Sequence, residues 1–194
     1  MDFQETSYKM LLVSSSEKFN TSFQSCLPKS RLSKVRVEGD MTNAQRILID
    51  ESFDFVIINT FLSSEDSVRL AIDIGSNRPS VVLLVVPADI YPDVFHRVAK
   101  YGVMVIAKPI ARVSVEQAID YMTSYRERLR RLEKKTTSLE SRMQEIRTVN
   151  RAKWLLIEEM KMSEADAHRY IEKQAMDRSE TKLTIAEEII RMYA

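Results

Sequence analysis

The pattern of apolar residues changes at Pro109, and this change constrains the fold more than any other feature of the 194-residue chain. Before Pro109, short runs rich in Val, Ile and Leu alternate with stretches long enough for helices. After it no strand candidate appears, and apolar residues recur at intervals of three and four, which is typical of helices. The sequence therefore predicts an α/β domain followed by a purely helical part.

Five short segments of the first part are strand candidates. Three of them are rich in Val, Ile and Leu with little alternation, as expected of strands buried on both faces of a parallel sheet. The strand candidates are Tyr8–Val13, Lys34–Val37, Phe53–Ile58, Ser80–Val86 and Val103–Ala107, and the helix candidates between them are Glu17–Leu27, Asn43–Asp50, Asp66–Ile74 and Pro92–Lys100. This order predicts an open α/β fold of flavodoxin-like type, with a five-stranded parallel sheet, over residues 1–112.

A heptad repeat covers residues 113–148 and predicts a parallel two-stranded coiled coil that forms a homodimer. The predicted dimer seam contains Met122, Tyr125, Leu129, Leu132, Leu139, Met143 and Ile146. Charged residues flank the seam in the pattern of a parallel coil, since Lys135 can meet Glu140 of the partner chain. The alternative is a single amphipathic helix packed on its own domain, which the highly charged stretch 126–135 disfavours.

The last segment, residues 149–194, is helical throughout and predicts a small three-helix bundle. The expected helices are Val149–Met160, Ser163–Met176 and Thr184–Met192. The second and third begin at capping boxes, Ser163-x-x-Asp166 and Thr184-x-x-Glu187. A bundle of this size has a thin core, so we expect packing on a dimer partner to support it.

Composition excludes several classes of protein. The formal net charge of +1 gives no bulk attraction to nucleic acid or membranes, and the single cysteine excludes a disulfide framework. The apolar runs are too short to span a membrane and the polar N-terminus does not resemble a signal peptide, so we expect a cytoplasmic protein without a membrane partner. With only three glycines and two separate histidines, His96 and His168, no catalytic site, metal site or cofactor is expected.

The element order of the first part, together with a Lys-Pro pair at Lys108 after the fifth strand, resembles a response-regulator receiver domain over about residues 7–125. The resemblance implies that Lys108 is the lysine that contacts a phosphoryl group in receivers. Ser14 and Ser15 stand where receivers carry acidic Mg²⁺ ligands, and Asn59 stands at the phospho-acceptor position. Because a carboxamide cannot form an acyl phosphate, we expect a pseudo-receiver controlled by a regulatory protein or a small-molecule ligand.

Four motifs in the last segment carry a second resemblance. They are Arg151–Leu156 (RAKWLL), Met162–Ala167 (MSEADA), Tyr170–Arg178 (YIEKQAMDR) and Leu183–Ile190 (LTIAEEII). These motifs resemble the ANTAR domain, the RNA-binding module of bacterial transcription antiterminators. The resemblance implies a dimer that binds paired hairpins in an mRNA leader, so that a terminator hairpin does not form and RNA polymerase continues.

The residue types that RNA recognition needs are present in these motifs, namely cations for phosphates and aromatic or small residues that let bases approach. The candidates for RNA binding are Arg151, Ala152, Lys153, Trp154, Arg169, Tyr170, Lys173 and Arg178. Trp154 and Tyr170 could equally belong to the core. From residue 148 onward nine acidic residues outnumber eight basic ones. A dimeric protein-interaction scaffold that binds no nucleic acid therefore stays open as an alternative, and a DNA-binding helix-turn-helix is a weaker one.

Overall fold

The structure is a computed structural model that describes residues 7–28, 32–59 and 64–193. Its strands are β1 (Tyr8–Val13), β2 (Leu32–Glu38), β3 (Phe55–Asn59), β4 (Val81–Pro87) and β5 (Met104–Lys108). Its helices are α1 (Glu17–Ser25), α2 (Met41–Asp50), α3 (Ser64–Asn77), α4 (Tyr91–Val98), α5 (Arg112–Met160), α6 (Glu164–Arg178) and α7 (Lys182–Tyr193), with short 3₁₀ turns at Ala88–Ile90 and Ala99–Tyr101.

The five described strands form one parallel sheet in the order β2-β1-β3-β4-β5, which confirms the predicted flavodoxin-like fold. Apolar side chains cover both faces of the sheet. One face, with Leu11 and Ile58, packs against α2, α3 and α4, and the other, with Leu12 and Ile57, packs against α1 and the start of α5. Burial on both faces explains why the strands have almost no polar alternation.

Strand β2, at one edge of the sheet, has the weakest apolar pattern of the five strands in the sequence. Its prediction, Lys34–Val37, lies inside the observed β2, whereas the predicted Tyr8–Val13 coincides with β1. Residues of β2 are at least partly exposed, while five of the six residues of β1 are buried. An edge strand needs less apolar character, and its sequence signal is correspondingly weaker.

Helix α5 continues without a break through the predicted coiled coil and into the predicted first ANTAR helix, Val149–Met160. Its first turns belong to the receiver-like unit: Met122 is 0% exposed, and Tyr125 and Leu129 pack on the same apolar cluster. These three residues, predicted to face a partner chain, instead pack on the sheet of their own chain. The chain divides into two compact units, residues 1–131 and 132–194.

The helical unit has its own core, to which the last part of α5, α6 and α7 all contribute. The buried side chains are Ala152, Leu156, Ala167, Ile171, Ala175, Ile185, Ala186 and Ile189. Ser163 caps α6 as expected, since its Oγ accepts a hydrogen bond of 3.2 Å from the backbone N–H of Asp166. Helix α7 begins two residues before the predicted Thr184, because Thr181 Oγ1 accepts from the backbone N–H of Thr184 at 3.1 Å and serves as the cap.

Within the ranges that the structure describes, none of the helices combines the length and apolar character that a membrane span requires.

Candidate functional site

The carboxyl ends of β1 and β3 bring two of the predicted positions together. Val13 pairs with Ile58 in the sheet, so the next residues, Ser14 and Asn59, are neighbours. Asn59 Nδ2 donates a hydrogen bond of 2.9 Å to Ser14 Oγ, and Asn59 is 6% exposed. Ser15 lies outside this contact and is exposed. The pair is neutral and hydrogen-bonded, where a receiver would hold charged groups.

This pair does not fit Mg²⁺. The ion prefers carboxylate oxygens and water, whereas the side chains present are a hydroxyl and a carboxamide whose N–H group is turned towards that hydroxyl. Among residues 7–28, 32–59 and 64–193, no three His, Cys, Asp or Glu side chains are grouped so that they could hold a metal ion. The observed arrangement gives Asn59 no carboxylate, the nucleophile that acyl-phosphate chemistry requires.

Lys108 is the last residue of β5 and is half-buried beside α1. Its Nζ lies 6.0 Å from the centre of the Phe19 ring, and burial lowers the pKa of its ammonium group. It therefore lies at the carboxyl edge of the sheet.

A second charged group lies at the opposite, amino-terminal edge of the sheet. Asp54 Oδ1 accepts from Arg126 Nε at 3.0 Å and from Arg130 Nη2 at 2.8 Å, and Asp54 Oδ2 accepts from the backbone N–H of Lys9 at 3.0 Å. Burial raises the pKa of Asp54, but the Lys9 N–H and the two guanidinium groups outweigh it and leave the pKa lowered. Arg126 and Arg130, in the highly charged stretch 126–135, therefore attach α5 to the amino-terminal edge of the sheet.

Tyr8 completes this group of side chains, which we call the Asp54 network (Tyr8, Asp54, Arg126, Glu127 and Arg130). Its hydroxyl donates to Glu127 Oε1 at 2.9 Å, and the guanidinium carbon of Arg130 lies 5.0 Å from the centre of its ring. Burial and the hydrogen bond to Glu127 raise the pKa of Tyr8 to about 12. Sequence periodicity gave no signal for the network, because it joins residues far apart in the chain.

The second half of the predicted dimer seam is exposed in the single chain. Leu132, Leu139, Met143 and Ile146 follow one another at heptad spacing, and Leu139 is 60% exposed. These four residues we call the exposed seam. Apolar side chains in a regular row on one helix face are the pattern of a coiled-coil interface rather than of an ordinary solvated helix.

On the helical unit, Trp154 points away from the core. Ala152 and Leu156 are buried on either side of it in the sequence, so helical geometry turns the indole outward, and Trp154 is 69% exposed. Arg151 is exposed one turn before it. Arg147, which sequence reasoning did not select, lies one turn before Arg151 and is also exposed. Arg147 precedes Arg151 by four residues and Trp154 by seven, so all three lie on one face of the helix. This spacing would have identified Arg147 from the sequence.

Ala152 is fully buried between the helices, so it cannot offer a surface to RNA and instead permits close packing. Lys153 turns towards the start of α6, where its Nζ lies 3.2 Å from Glu164 Oε1. The predicted run of four RNA-contacting residues on α5 is thus divided: Arg151 and Trp154 lie on the outer face, Ala152 in the core and Lys153 at a helix junction.

Arg178 ends α6 and is held by acidic side chains. Its two terminal nitrogens bind the two carboxylate oxygens of Glu188 at 2.6 and 2.8 Å, and Glu180 lies 2.8 Å away. Glu188 in turn has a lowered pKa because Arg178 donates to it. The position of Arg178 is therefore fixed by helix α7.

The remaining candidates lie on the exposed side of α6. Arg169 and Lys173 are one turn apart and face away from Ile171, the central core residue of that helix. Tyr170 is exposed at the side of the helix, with Arg169 next to it and Asp166 3.9 Å from the Arg169 guanidinium. Both aromatic candidates, Trp154 and Tyr170, thus lie at the surface and not in the core.

Comparison with known proteins identifies both units. The ANTAR domain model matches residues 137–190. The transcriptional regulatory protein PdtaR of Mycobacterium tuberculosis is 30% identical over 153 residues, which cover 78% of this chain and 74% of PdtaR. The aliphatic amidase regulator of Pseudomonas aeruginosa is 28% identical over 148 residues, 72% of this chain and 74% of that protein.

Comparison with solved structures shows that the first unit has the fold of a receiver domain. The signal receiver domain of an HD domain-containing protein from Pseudomonas fluorescens superimposes with a TM-score of 0.57 at 18% identity, covering 68% of this chain and 96% of that one. The chain has a receiver-like sheet and a match to the ANTAR domain, and it aligns with regulatory proteins over about three quarters of their length. It therefore belongs to the family of ANTAR-domain transcription antiterminators of the response-regulator type.

Proposed function

We propose that this protein binds RNA hairpins in an mRNA leader as a dimer, prevents formation of a terminator hairpin, and so lets transcription continue. The observation that carries the proposal is the outward-facing indole of Trp154, with Arg151 one helical turn away. A large aromatic side chain exposed beside a cation on a bundle with a complete aliphatic core has no packing role within the chain.

This arrangement suits the loops of RNA hairpins. Unpaired bases in a loop can be splayed out and stacked on an aromatic side chain, and nearby guanidinium groups bind the adjoining phosphates. Arg147 and Arg151 on α5, with Arg169 and Lys173 on α6, supply such cations. Among the described residues, Arg147, Arg151 and Lys173 form no ion pair, so their charges are available to a ligand.

The exposed seam supports the dimer. Two chains joined along Leu132–Ile146 in parallel carry two ANTAR units, and the second hairpin then binds intramolecularly at a high effective concentration. A transcript with two suitably spaced hairpins is thereby distinguished from the many single hairpins in a cell.

Control by a route other than phosphorylation follows from the first unit. The neutral pair formed by Ser14 and Asn59 lacks the groups for phosphoryl transfer, whereas a partner protein or a small ligand can act on the same domain without them. The family relationship and the receiver-like fold support a regulatory role for this unit.

A binding experiment tests the proposal. An RNA with two stem-loops is selected against the full chain from a library with randomised loops, and filter binding then compares variants. Base stacking contributes about 1–3 kcal/mol, so Trp154→Ala should weaken binding by roughly 5- to 150-fold with little change in salt dependence. Arg151→Ala should weaken binding and lower the salt slope by about one.

Tyr121→Ala is the matched control, because Tyr121 is an equally exposed aromatic residue on the receiver-like part of α5. It should bind RNA like the unmodified chain. Failure to enrich any RNA, or equal affinity of Trp154→Ala and Tyr121→Ala, would contradict RNA binding by this face and favour the alternative of a protein-interaction scaffold.

A further inference from the structure

A groove of about 330 Å³ lies on the receiver-like unit. Helix α1 forms one wall with Phe19 and Phe23, and the segment from β5 into α5 forms the other with Ile110 and Val115. The volume lies at the lower end of the range for small-molecule sites. The walls suit an aryl or short alkyl group.

The charged residues of the groove have one sign. Lys18 and Lys108 line it, and none of the described residues in its lining is acidic. Lys108 is half-buried, and burial lowers its pKa because desolvation disfavours the ammonium form. A ligand carboxylate brought next to Lys108 would favour its ammonium form by charge attraction, whereas a neutral ligand would not.

We propose that this groove binds a small amphipathic carboxylate, with its apolar part between Phe19 and Val115 and its carboxylate at Lys108. Charge complementarity selects this class: the two lysines among the described lining residues disfavour a cationic ligand, and the apolar walls disfavour a small inorganic anion. The proposal concerns the first unit alone and does not depend on RNA binding.

The single cysteine of the chain provides the readout. Cys26 lines the groove and is partly exposed, so a bound ligand covers it. The alkylation rate of Cys26 by iodoacetamide, an uncharged reagent, is measured on the full chain with increasing 4-phenylbutyrate. The same titration uses 4-phenylbutanamide, which has the same apolar part without the charge.

We expect 4-phenylbutyrate to slow alkylation in a saturable way and at concentrations at least fivefold lower than 4-phenylbutanamide. Lys108→Met should abolish this difference between the two probes. Lys100→Met is the matched control, since Lys100 lies over the ring of Tyr101, outside the groove, and should keep the difference.

A second variant tests the groove without relying on Cys26. Ser22 is an exposed lining residue, so Ser22→Trp fills the groove with little risk to the fold, which circular dichroism checks. Calorimetric titration with 4-phenylbutyrate should then show binding to the unmodified chain and none to Ser22→Trp. Equal protection by acid and amide, unchanged preference in Lys108→Met, or no binding of 4-phenylbutyrate at all would overturn the proposal.

Discussion

The Asp54 network predicts a large and specific loss of stability for Asp54→Asn. The substitution keeps an oxygen for the N–H group of Lys9 but removes the negative charge that faces two guanidinium groups. The side chains of Arg126 and Asp54 are only 11% and 14% exposed, and that of Arg130 is 25% exposed. Breaking a buried pair on one side costs about 3–5 kcal/mol, and the partial hydration of Arg130 reduces this to about 2–4 kcal/mol.

Differential scanning calorimetry of the full chain measures the effect. For a unit of about 130 residues, each kcal/mol corresponds to about 3–4 °C, so the transition of the receiver-like unit should fall by about 6–16 °C. Fluorescence of the single tryptophan, Trp154, reports the transition of the helical unit and thereby identifies which transition has moved. The helical unit should unfold as before.

The pH dependence follows from the lowered pKa of Asp54. An acid whose pKa is lower in the folded state stabilises it fully above its unfolded pKa of about 4, and this contribution is lost as pH falls through the folded pKa. Asp54→Asn lacks that contribution, so its deficit should be constant near neutrality and shrink in acid below about pH 4.

The control is Glu65→Gln, which removes a carboxylate that binds Arg97 and Arg69 entirely at the surface. Exposed ion pairs contribute little, so this transition should move far less. Equal melting temperatures for the two variants, or a deficit in Asp54→Asn that persists unchanged at low pH, would refute the assigned role of the network.

Two further predictions concern the seam and the acceptor position. The double variant Leu132→Glu, Leu139→Glu should be a monomer in sedimentation equilibrium, and its receiver-like unit should stay folded. The control double variant Ser138→Glu, Ser141→Glu changes other faces of the same helix and should stay dimeric. If the leucine double variant is also a dimer, the seam lies elsewhere. Incubation with acetyl phosphate and Mg²⁺ should leave the intact mass unchanged, and a hydroxylamine-sensitive adduct at Asn59 would contradict the neutral site.

The sheet could be predicted from sequence because each buried strand has to be apolar on both faces. Phe55–Asn59 and Val81–Pro87 are almost continuous apolar runs, and no other element of this length requires such a composition. Strand β2, at the edge, was predicted shorter than it is, because partial exposure permits Lys34 and Arg36 within it. Partial exposure therefore accounts for the shorter prediction of β2.

The heptad repeat was a weaker guide, because spacing does not specify what covers an apolar stripe. Met122 and Leu139 occupy equivalent kinds of position, yet one is buried in the receiver-like unit and the other is exposed. A helix that packs on a sheet and a helix that packs on a partner both need apolar residues every three or four positions. The division near residue 131 is set by where the sheet ends, which a local pattern cannot show.

The candidate RNA-binding residues divide for a similar reason. Residue type alone selected Ala152, Lys153 and Trp154 together, but consecutive helical residues point about 100° apart and cannot share one face. Once Ala152 and Leu156 are recognised as core, the outward direction of Trp154 follows. The contacts of Lys153 and Arg178 depend on the packing of α6 and α7 and could not be predicted from the sequence.

Those contacts bear on the proposed RNA binding of the segment from residue 148 onward, in which acidic residues outnumber basic ones. Glu164 lies 3.2 Å from Lys153 Nζ, and Glu188 binds Arg178 in a bidentate pair. The carboxylates of Glu164 and Glu188 lie at the surface, so their ion pairs add little stability. Under the proposed function, a phosphate group would take the place of Glu188 at the partly exposed Arg178 at small cost. A polyanion whose phosphates do not reach these cations instead meets the carboxylates and is repelled. Under the proposed function, the acidic residues therefore disfavour binding to arbitrary nucleic acid, and affinity should depend on an RNA shape that places loop bases at Trp154 and phosphates at the cations around it.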